Sequence, residues 1–599
     1  MTAATPAVPT HGPAGVGAVA GAGDAAGVEV APRVLHGVGV GRGVALGPVA
    51  VVRPAPDVAP DAPVLVDGRP ADPAESRAAV EAAFAGVAAD LREQSDRASG
   101  TVREVLAATA QMAQDRALVA QVLARLDAGE PVVGSVDAVV AGFAALFEQA
   151  GGYLAERVTD LRSVRDRVVA RVLGLPAPGV PELREPSVVV ARDLAPADTA
   201  ALDLAHVLAI VTEQGGPTGH TAIIAGQLGL PCLVRVAGAT GLGDGTEVAV
   251  DAATGTVTVG PGPDVRERFA HRQEVARQLA QDVGPGATAD GHAVALLANI
   301  GTAEDGERLA TTHPGAVAVE GVGLFRTEVL FLERSVAPTE AEQAAAYART
   351  LRALGGRKVV VRTLDAGADK PLAFATQPDE ENPALGVRGF RLVRTLPDLI
   401  DTQLRALALA QAETGTAPWV MAPMVATAVE ARDFATRARA AGLATVGVMV
   451  EVPAAALRAR AILAEVDFVS LGTNDLAQYT MATDRLRGEL ADLLDPWQPA
   501  VLELVAATAR AGVELGKPVG VCGESAAEPL MALVLAGLGI TSLSMSPAAL
   551  PAVRHALRRH DLATCRAMAD AALAAPTAPE ARAAVVALLD PEVRAALAD

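Results

Sequence analysis

Aromatic side chains are scarce: Phe, Trp and Tyr make up 3% of the 599 residues, although apolar residues as a whole reach 51%. The core must therefore pack Ala, Val and Leu rather than rings. Cysteine is nearly absent. Cys232, Cys522 and Cys565 are too few and too scattered for a disulfide framework or a zinc cluster, and a reducing, cytoplasmic compartment fits them. Positive charge is in deficit, with 50 Lys and Arg against 70 Asp and Glu and a net charge of −20. That balance argues against nucleic acid or anionic membrane as a partner, since either demands a basic face. The first 32 residues hold no Lys or Arg, so the basic start of a secretory leader is missing. One uncharged run, Pro529 to Val553, is long enough to cross a bilayer. Gly537 and Gly539 break it, and Ser542-Leu543-Ser544-Met545-Ser546 alternates like a strand end before Pro547, so it reads as soluble core.

What is present divides into blocks. Residues 1–31 are Ala, Gly, Pro and Thr with little to bury, and read as a disordered tail. Residues 32–72 carry strand text around Val34 to Val52, and 73–172 change to helix-forming Ala, Leu, Arg, Glu and Gln. Strand text resumes over 173–262, so the helical block is an insertion into one α/β domain. A polar linker helix occupies 263–286, from Asp264 to Asp282. From 287 to 599 the rhythm is short apolar strand, then helix. The predicted strands are Ala293–Ile300, Ala316–Val322, Val359–Arg362, Trp419–Met424, Val446–Glu451, Phe468–Leu471, Pro518–Cys522 and Ser542–Met545. Eight buried strands alternating with helices call for a parallel (βα)₈ barrel of the TIM type, and an α/β multidomain chain.

In such a barrel chemistry sits past the C-terminal ends of the strands. Those ends read Asn299; Arg326 with Glu328; Arg362 with Asp365; Glu451; Asn474 with Asp475; and Cys522 with Glu524. Lys370, Arg388 and Arg485 lie in the following loops. Guanidinium groups bind phosphate oxygens bidentately, so several on one rim imply a multiply charged anion. Glu451 and Asp475 have the chemistry to hold a hard divalent ion whose shell the substrate completes. Cys522 is either a proton donor to a carbanion-like carbon or a nucleophile.

A second constellation is Gly215-Gly216-Pro217-Thr218-Gly219-His220-Thr221-Ala222-Ile223-Ile224-Ala225-Gly226. Its glycines let backbone N–H groups turn inward, and the apolar text after His220 starts a helix. An imidazole near a helix N-terminus is placed to accept a phosphoryl group, which the free amides and the dipole then hold.

These segments, with Gly323-Leu324-Phe325-Arg326-Thr327-Glu328, Val361-Arg362-Thr363-Leu364-Asp365, Glu381-Asn382-Pro383, Glu451-Val452-Pro453-Ala454 and Ser470-Leu471-Gly472-Thr473-Asn474-Asp475-Leu476, resemble enzyme I of the bacterial phosphoenolpyruvate-dependent sugar phosphotransferase system. The resemblance implies that phosphoenolpyruvate and Mg²⁺ bind at the barrel rim and that His220 takes the phosphoryl group and passes it to the carrier protein HPr. It implies Glu451 and Asp475 as metal ligands, and Arg326, Arg362, Lys370, Asn474, Asp475 and Arg485 as substrate contacts. Arg388 is similar to the arginine near the developing enolate, Cys522 to the acid that yields pyruvate, and Thr199 to the residue that orients the imidazole. It further implies docking of HPr on 73–172 and a homodimer through the barrel. Gly219 stands where the family commonly has Ser, and Thr109 about where many members have His. Two rivals share part of this pattern. A pyruvate–phosphate dikinase or phosphoenolpyruvate synthase needs an ATP-binding domain for which no Walker loop or spare length is apparent. A non-catalytic regulator would be expected to have lost His220, the acid pair or the arginines.

Overall fold

The structure is a computed structural model that describes residues 33–40, 43–97, 107–150, 158–181, 183, 185–194, 202, 206–216, 221–222, 225, 230–311, 319–331, 334, 336–366, 372, 374–375, 380–484 and 488–597. The expected tail, 1–31, lies outside them.

Among the described residues ten strands precede the barrel: β1 (Arg33–His36), β2 (Val38–Val40), β3 (Val44–Val51), β4 (Leu65–Val66), β5 (Arg69–Pro70), β6 (Ser187–Ala191), β7 (Val207–Thr212), β8 (Cys232–Val234), β9 (Glu247–Asp251) and β10 (Thr256–Val259). Strands β4 and β5 form a separate hairpin, and the other eight make one sheet in the order β1-β10-β9-β3-β6-β7-β8-β2. Strand β3 pairs in parallel with β6 through Val49↔Val188, so strands from before and after the helical block share one sheet. Between them lie the helices Pro73–Arg97, Arg116–Asp127, Val132–Ala150 and Val158–Val172. They enclose their own apolar core of Val80, Phe84, Leu91, Val122, Val136 and Val164.

The helix Pro263–Ala280 leads on toward the barrel. Its polar side chains tie it to the sheet, through Arg266 Nε to Glu247 Oε2 at 2.9 Å and Arg272 Nη1 to Asp251 Oδ2 at 2.6 Å. Just beyond it, Asp282 is held by Arg554 and Arg558 of the barrel.

The barrel closes as β11 (Ala295–Ile300), β12 (Gly321–Arg326), β13 (Lys358–Arg362), β14 (Trp419–Ala422), β15 (Thr445–Val450), β16 (Phe468–Leu471), β17 (Val519–Val521) and β18 (Ser542–Met545), with β11 returning to β18. The strand set furthest from expectation is β12, the others keeping within two residues of their predicted bounds. It runs Gly321–Arg326 rather than Ala316–Val322, and residues 312–318 lie outside the described ones. Gly321 and Gly323 bring no side chain to this strand. In the barrel they make room: a Cβ on Gly321 would meet the Lys358 carbonyl oxygen at 2.3 Å, and one on Gly323 would meet Ser544 Oγ at 2.5 Å. Arg326 is thereby the last residue of a strand, not part of a loop.

Strand alternation sorts the barrel's side chains into two apolar bodies. The outer one packs strands against helices through residues such as Val361, Phe390, Phe434, Val448 and Leu543. The inner one is a plug of Leu324, Val360, Met421, Met449, Phe468 and Cys522, with Trp419 against it. At the N-terminal mouth the Lys358 ammonium sits 3.7 Å from the centre of the Trp419 ring. The uncharged run of the sequence resolves into the buried helix Pro529–Leu538 and β18, and no helix among the described residues is long and apolar enough to cross a membrane.

Ser544 Oγ cannot swing away from an intruding methyl cheaply, because it is bonded to Asn299 Oδ1 at 2.6 Å and Ala298 O at 3.2 Å. Gly323→Ala is therefore expected to destabilise the barrel by about 1–3 kcal/mol through overpacking. Chemical denaturation of the two proteins checks this, and an unchanged midpoint would show that the interior yields more easily than its contacts imply.

Candidate active site at the barrel rim

The pairing of β12 with β13 sets Arg326 directly beside Arg362. Two guanidiniums on neighbouring strand ends repel, and burial followed by the Arg362 charge pulls Arg326 below the usual arginine range. Burial also opposes the charge on Arg362, but Glu328 and Asp365 outweigh it and hold it on. Glu328 bonds Arg362 Nη2, and Asp365 Oδ2 lies 3.4 Å from Nη1. Glu328, Arg362 and Asp365 are all buried.

Arg388, 2% exposed, extends the lattice. Its Nη2 donates to both Asp365 oxygens at 3.2 and 3.1 Å, and its Nη1 to Asp475 Oδ1 at 3.3 Å and to the Tyr479 hydroxyl at 3.4 Å. Asp475 and Tyr479 are four residues apart on the helix Thr473–Thr480, so both face Arg388.

Glu451, just past β15, is fixed by the N–H of Met424, which donates to Oε1 at 2.6 Å. Met424 adopts φ +59 to aim that N–H, a costly conformation for a side chain with a Cβ. The other oxygen, Oε2, is buried with no hydrogen-bond partner. Burial, then the charges of Asp475 and Asp365, push the Glu451 carboxyl up to about 8 against the pull of Arg362 and Arg388. A buried orphan carboxylate oxygen raised by a neighbouring carboxylate suits a hard cation, which would relieve both penalties. Among the described residues no three or more His, Cys, Asp or Glu side chains are grouped to hold a metal by themselves. A cation on Glu451 and Asp475 would take its remaining oxygens from elsewhere.

Cys522 ends the inner plug at the same rim. It is 3% exposed, and its Sγ lies 3.6 Å from the Leu471 carbonyl. Burial pushes the thiol up, and a hydrogen bond from Ser470 only partly offsets this. Asn474 Oδ1 accepts the Glu524 N–H at 3.1 Å, and Asn299 Nδ2 donates to Cys522 O at 3.2 Å and Ser544 O at 3.3 Å.

The structure thus brings Arg326, Arg362, Arg388, Glu451, Asn474, Asp475 and Cys522 to one barrel end. His220, Thr199, Lys370 and Arg485 lie outside the described residues. Tyr479, Ser470 and Met424 join the site without having been singled out from the sequence. Tyr479 carried a signal in its i, i+4 spacing from Asp475, whereas the backbone conformation of Met424 left no trace in its residue type. Asp365, one of the acids at the strand ends, proves to be the shared partner of two arginines.

Three family models match in chain order. They are the PEP-utilising enzyme N-terminal model over residues 36–157, the PEP-utilising enzyme mobile domain over 183–255, and the PEP-utilising enzyme PEP-binding domain over 275–562. Among curated relatives, the phosphoenolpyruvate-protein phosphotransferase of Streptomyces coelicolor is 52% identical over 562 residues, covering 93% of this chain and 98% of its own length. The protein of the same name from Haloferax volcanii is 40% identical, covering 92% of this chain and 98% of its own. The multiphosphoryl transfer protein of Xanthomonas campestris is 40% identical over 80% of this chain and 58% of itself.

Removing the charge of Asp365 leaves two buried guanidiniums short of a counter-ion. Asp365→Ala is expected to cost about 3–5 kcal/mol of stability, as broken buried pairs do. Denaturant unfolding measures it, and a loss below about 1 kcal/mol would mean that Glu328 and Asp475 suffice.

Proposed function

Because the chain belongs to the phosphoenolpyruvate-protein phosphotransferase family of phosphoenolpyruvate-dependent enzymes, we propose that it moves the phosphoryl group of phosphoenolpyruvate to its own His220 and then to a histidine of the carrier protein HPr. Pyruvate is released, and the pair of steps opens the sugar phosphotransferase system. The observation that carries this reading is the enforced neighbourhood of Arg326 and Arg362 on paired strand ends. A multiply charged anion between two such forks turns their repulsion into binding.

In this reading Arg326, Arg362, Lys370, Arg388, Asn474, Asp475 and Arg485 form the substrate pocket, and Glu451 and Asp475 hold Mg²⁺. When bound, Mg²⁺ supplies Lewis-acid screening of the phosphoryl oxygens. Thr199 orients the His220 ring, whose free nitrogen attacks phosphorus. An N–P bond forms, the bond from phosphorus to the bridging oxygen breaks, and its electron pair stays on the enolate oxygen. Cys522 then gives its proton to the methylene carbon to complete pyruvate, and the thiolate is reprotonated from solvent. Burial supports that role, because it keeps the thiol in the protonated form an acid needs.

His220 belongs to the sheet unit made by 32–72 and 173–262, so it must reach the rim for the first step and leave it for the second. The linker over 263–286 is the pivot, 73–172 is the docking surface for HPr, and 287–599 carries the homodimer contact. The chain acts in the cytoplasm.

Incubation with phosphoenolpyruvate labelled in the phosphoryl group, plus Mg²⁺, is expected to give acid-labile, base-stable label on the protein. His220→Ala should take none, and label on that variant would refute the assignment. Cys522→Ala is expected to slow exchange of labelled pyruvate into phosphoenolpyruvate by about 10²–10⁴-fold, the usual worth of a positioned acid. Its initial labelling of His220 should suffer far less. Equal loss in both assays would remove Cys522 from the acid role.

A further inference from the structure

The barrel interior has a polar side that the rim chemistry does not use. Below Cys522, toward the N-terminal mouth, lies a cavity of about 10 Å³, room for one water molecule, whose lining includes Lys358, Ser470, Gly520, Ser542 and Ser544. Ser470 and Ser542 are only 6% and 8% exposed. Strand pairing sets Gly520 between them, opposite Ser470 of β16 on one side and Ser542 of β18 on the other. A Cβ on Gly520 would stand 2.6 Å from Ser542 Oγ and 3.8 Å from Ser470 Oγ, so both hydroxyls face the gap that the glycine leaves. At the upper end of this gap Ser470 donates its hydrogen bond to Cys522. At the lower end stands Lys358, the first residue of β13, whose ammonium lies 3.7 Å from the centre of the Trp419 ring and 5.9 Å from that of Phe468.

Packing alone accounts for neither the lysine nor the serines. Among the described residues Lys358 has no ion pair and its ammonium no hydrogen bond, in a chain with 70 acidic residues, and the Ser542 hydroxyl has no partner either. A buried hydroxyl left unpaired is a penalty that alanine would avoid. One water in the cavity removes it, bonding Lys358, Ser542 and Ser470, and so finds the two to four polar partners that a buried water needs. Burial lowers Lys358 to about 8, so its ammonium keeps a proton at neutral pH and yields it more readily than a surface lysine. Cys522 is in the opposite position. It is buried, and a substrate seated on the rim stands between its thiolate and solvent on that side.

We propose that the proton returning to Cys522 crosses the barrel from its opposite mouth: Lys358 gives it to water in the cavity, the water to Ser470, and Ser470 to the thiolate. This inference rests on the reading of Cys522 as the acid that completes pyruvate. Each step forms one bond to hydrogen and breaks one. S–H forms at Cys522 as the Ser470 O–H breaks, Ser470 regains its proton from the water, and the water regains its own from the ammonium. Thiolate and ammonium end as thiol and neutral amine, and the amine recovers a proton from solvent at the N-terminal mouth, where Lys358 is partly exposed. Lys358 touches no reacting atom, and Ser542 holds the water in line.

The full chain, with Mg²⁺ in D₂O, is given phosphoenolpyruvate and carbon-labelled pyruvate, and two rates are compared: exchange of the carbon label into phosphoenolpyruvate, and entry of solvent deuterium into the pyruvate methyl group. In wild type the thiolate equilibrates with solvent in each cycle, so deuterium entry should keep pace with exchange. In Lys358→Met and in Ser470→Ala the same proton is handed back and forth by Cys522, and the ratio of deuterium entry to exchange should fall by about tenfold or more, the low end of what proton-transfer groups contribute. Lys358→Arg keeps the charge but releases no proton at neutral pH, and should fall as far as Lys358→Met. A purely structural lysine would lower the unfolding temperature or slow both rates together, leaving their ratio alone. A wild-type ratio in a Lys358 variant or in Ser470→Ala overturns the inference while the acid role of Cys522 stands. Should Lys358→Met fail to fold, Lys358→Arg and Ser470→Ala decide the matter in the same way. If Cys522→Ala exchanges label and takes up deuterium at the wild-type rates, the parent reading fails and this inference fails with it.

Discussion

The site depends on keeping two like charges together. Arg326 and Arg362 occupy paired positions at the ends of adjacent strands, so the hydrogen-bond register of the barrel, not any flexible loop, sets how close their guanidiniums stand. Glu328, Asp365 and Asp475 form the acid scaffold that makes this tolerable for Arg362 and Arg388. Compensation is deliberately incomplete in one sense: Arg326 remains depressed by burial and by its neighbour, and Glu451 keeps an orphan oxygen. Unspent positive charge and an unspent carboxylate at one rim form a site that is electrostatically unfinished until an anion and a cation arrive together.

The fold makes room for this tension by separating it from the parts that supply stability. The outer apolar body between strands and helices is continuous, whereas the inner plug is small and ends in Cys522 at the rim. Met421 and Met449 fill the middle of the interior with adaptable side chains, and Lys358 stands against Trp419 at the opposite mouth.

Much of this was legible in the residue string, because strand ends in a parallel barrel are where polar residues interrupt apolar runs. Arg362, Glu451 and Asp475 stand out for that reason. The misplacement of β12 is a shift along the chain: the expected strand Ala316–Val322 stops short of Gly323, and only the three-dimensional closeness of Lys358 and Ser544 shows why a strand there needs its two glycines. Tyr479 was hidden because a tyrosine on a helix is ordinary until its partner is known. Met424 was hidden more deeply. Nothing in a Met betrays a positive φ, and here the backbone conformation is what directs the N–H to Glu451.

Strand β1 pairs with β10, joining Arg33 to Val259, and β3 pairs with both β6 and β9 across the whole helical segment. A nascent chain leaving the ribosome therefore cannot finish its first sheet until nearly everything before the barrel has emerged. The helical segment, with its own separate core, is able to condense meanwhile and hold the early strands near the place where their late partners will appear.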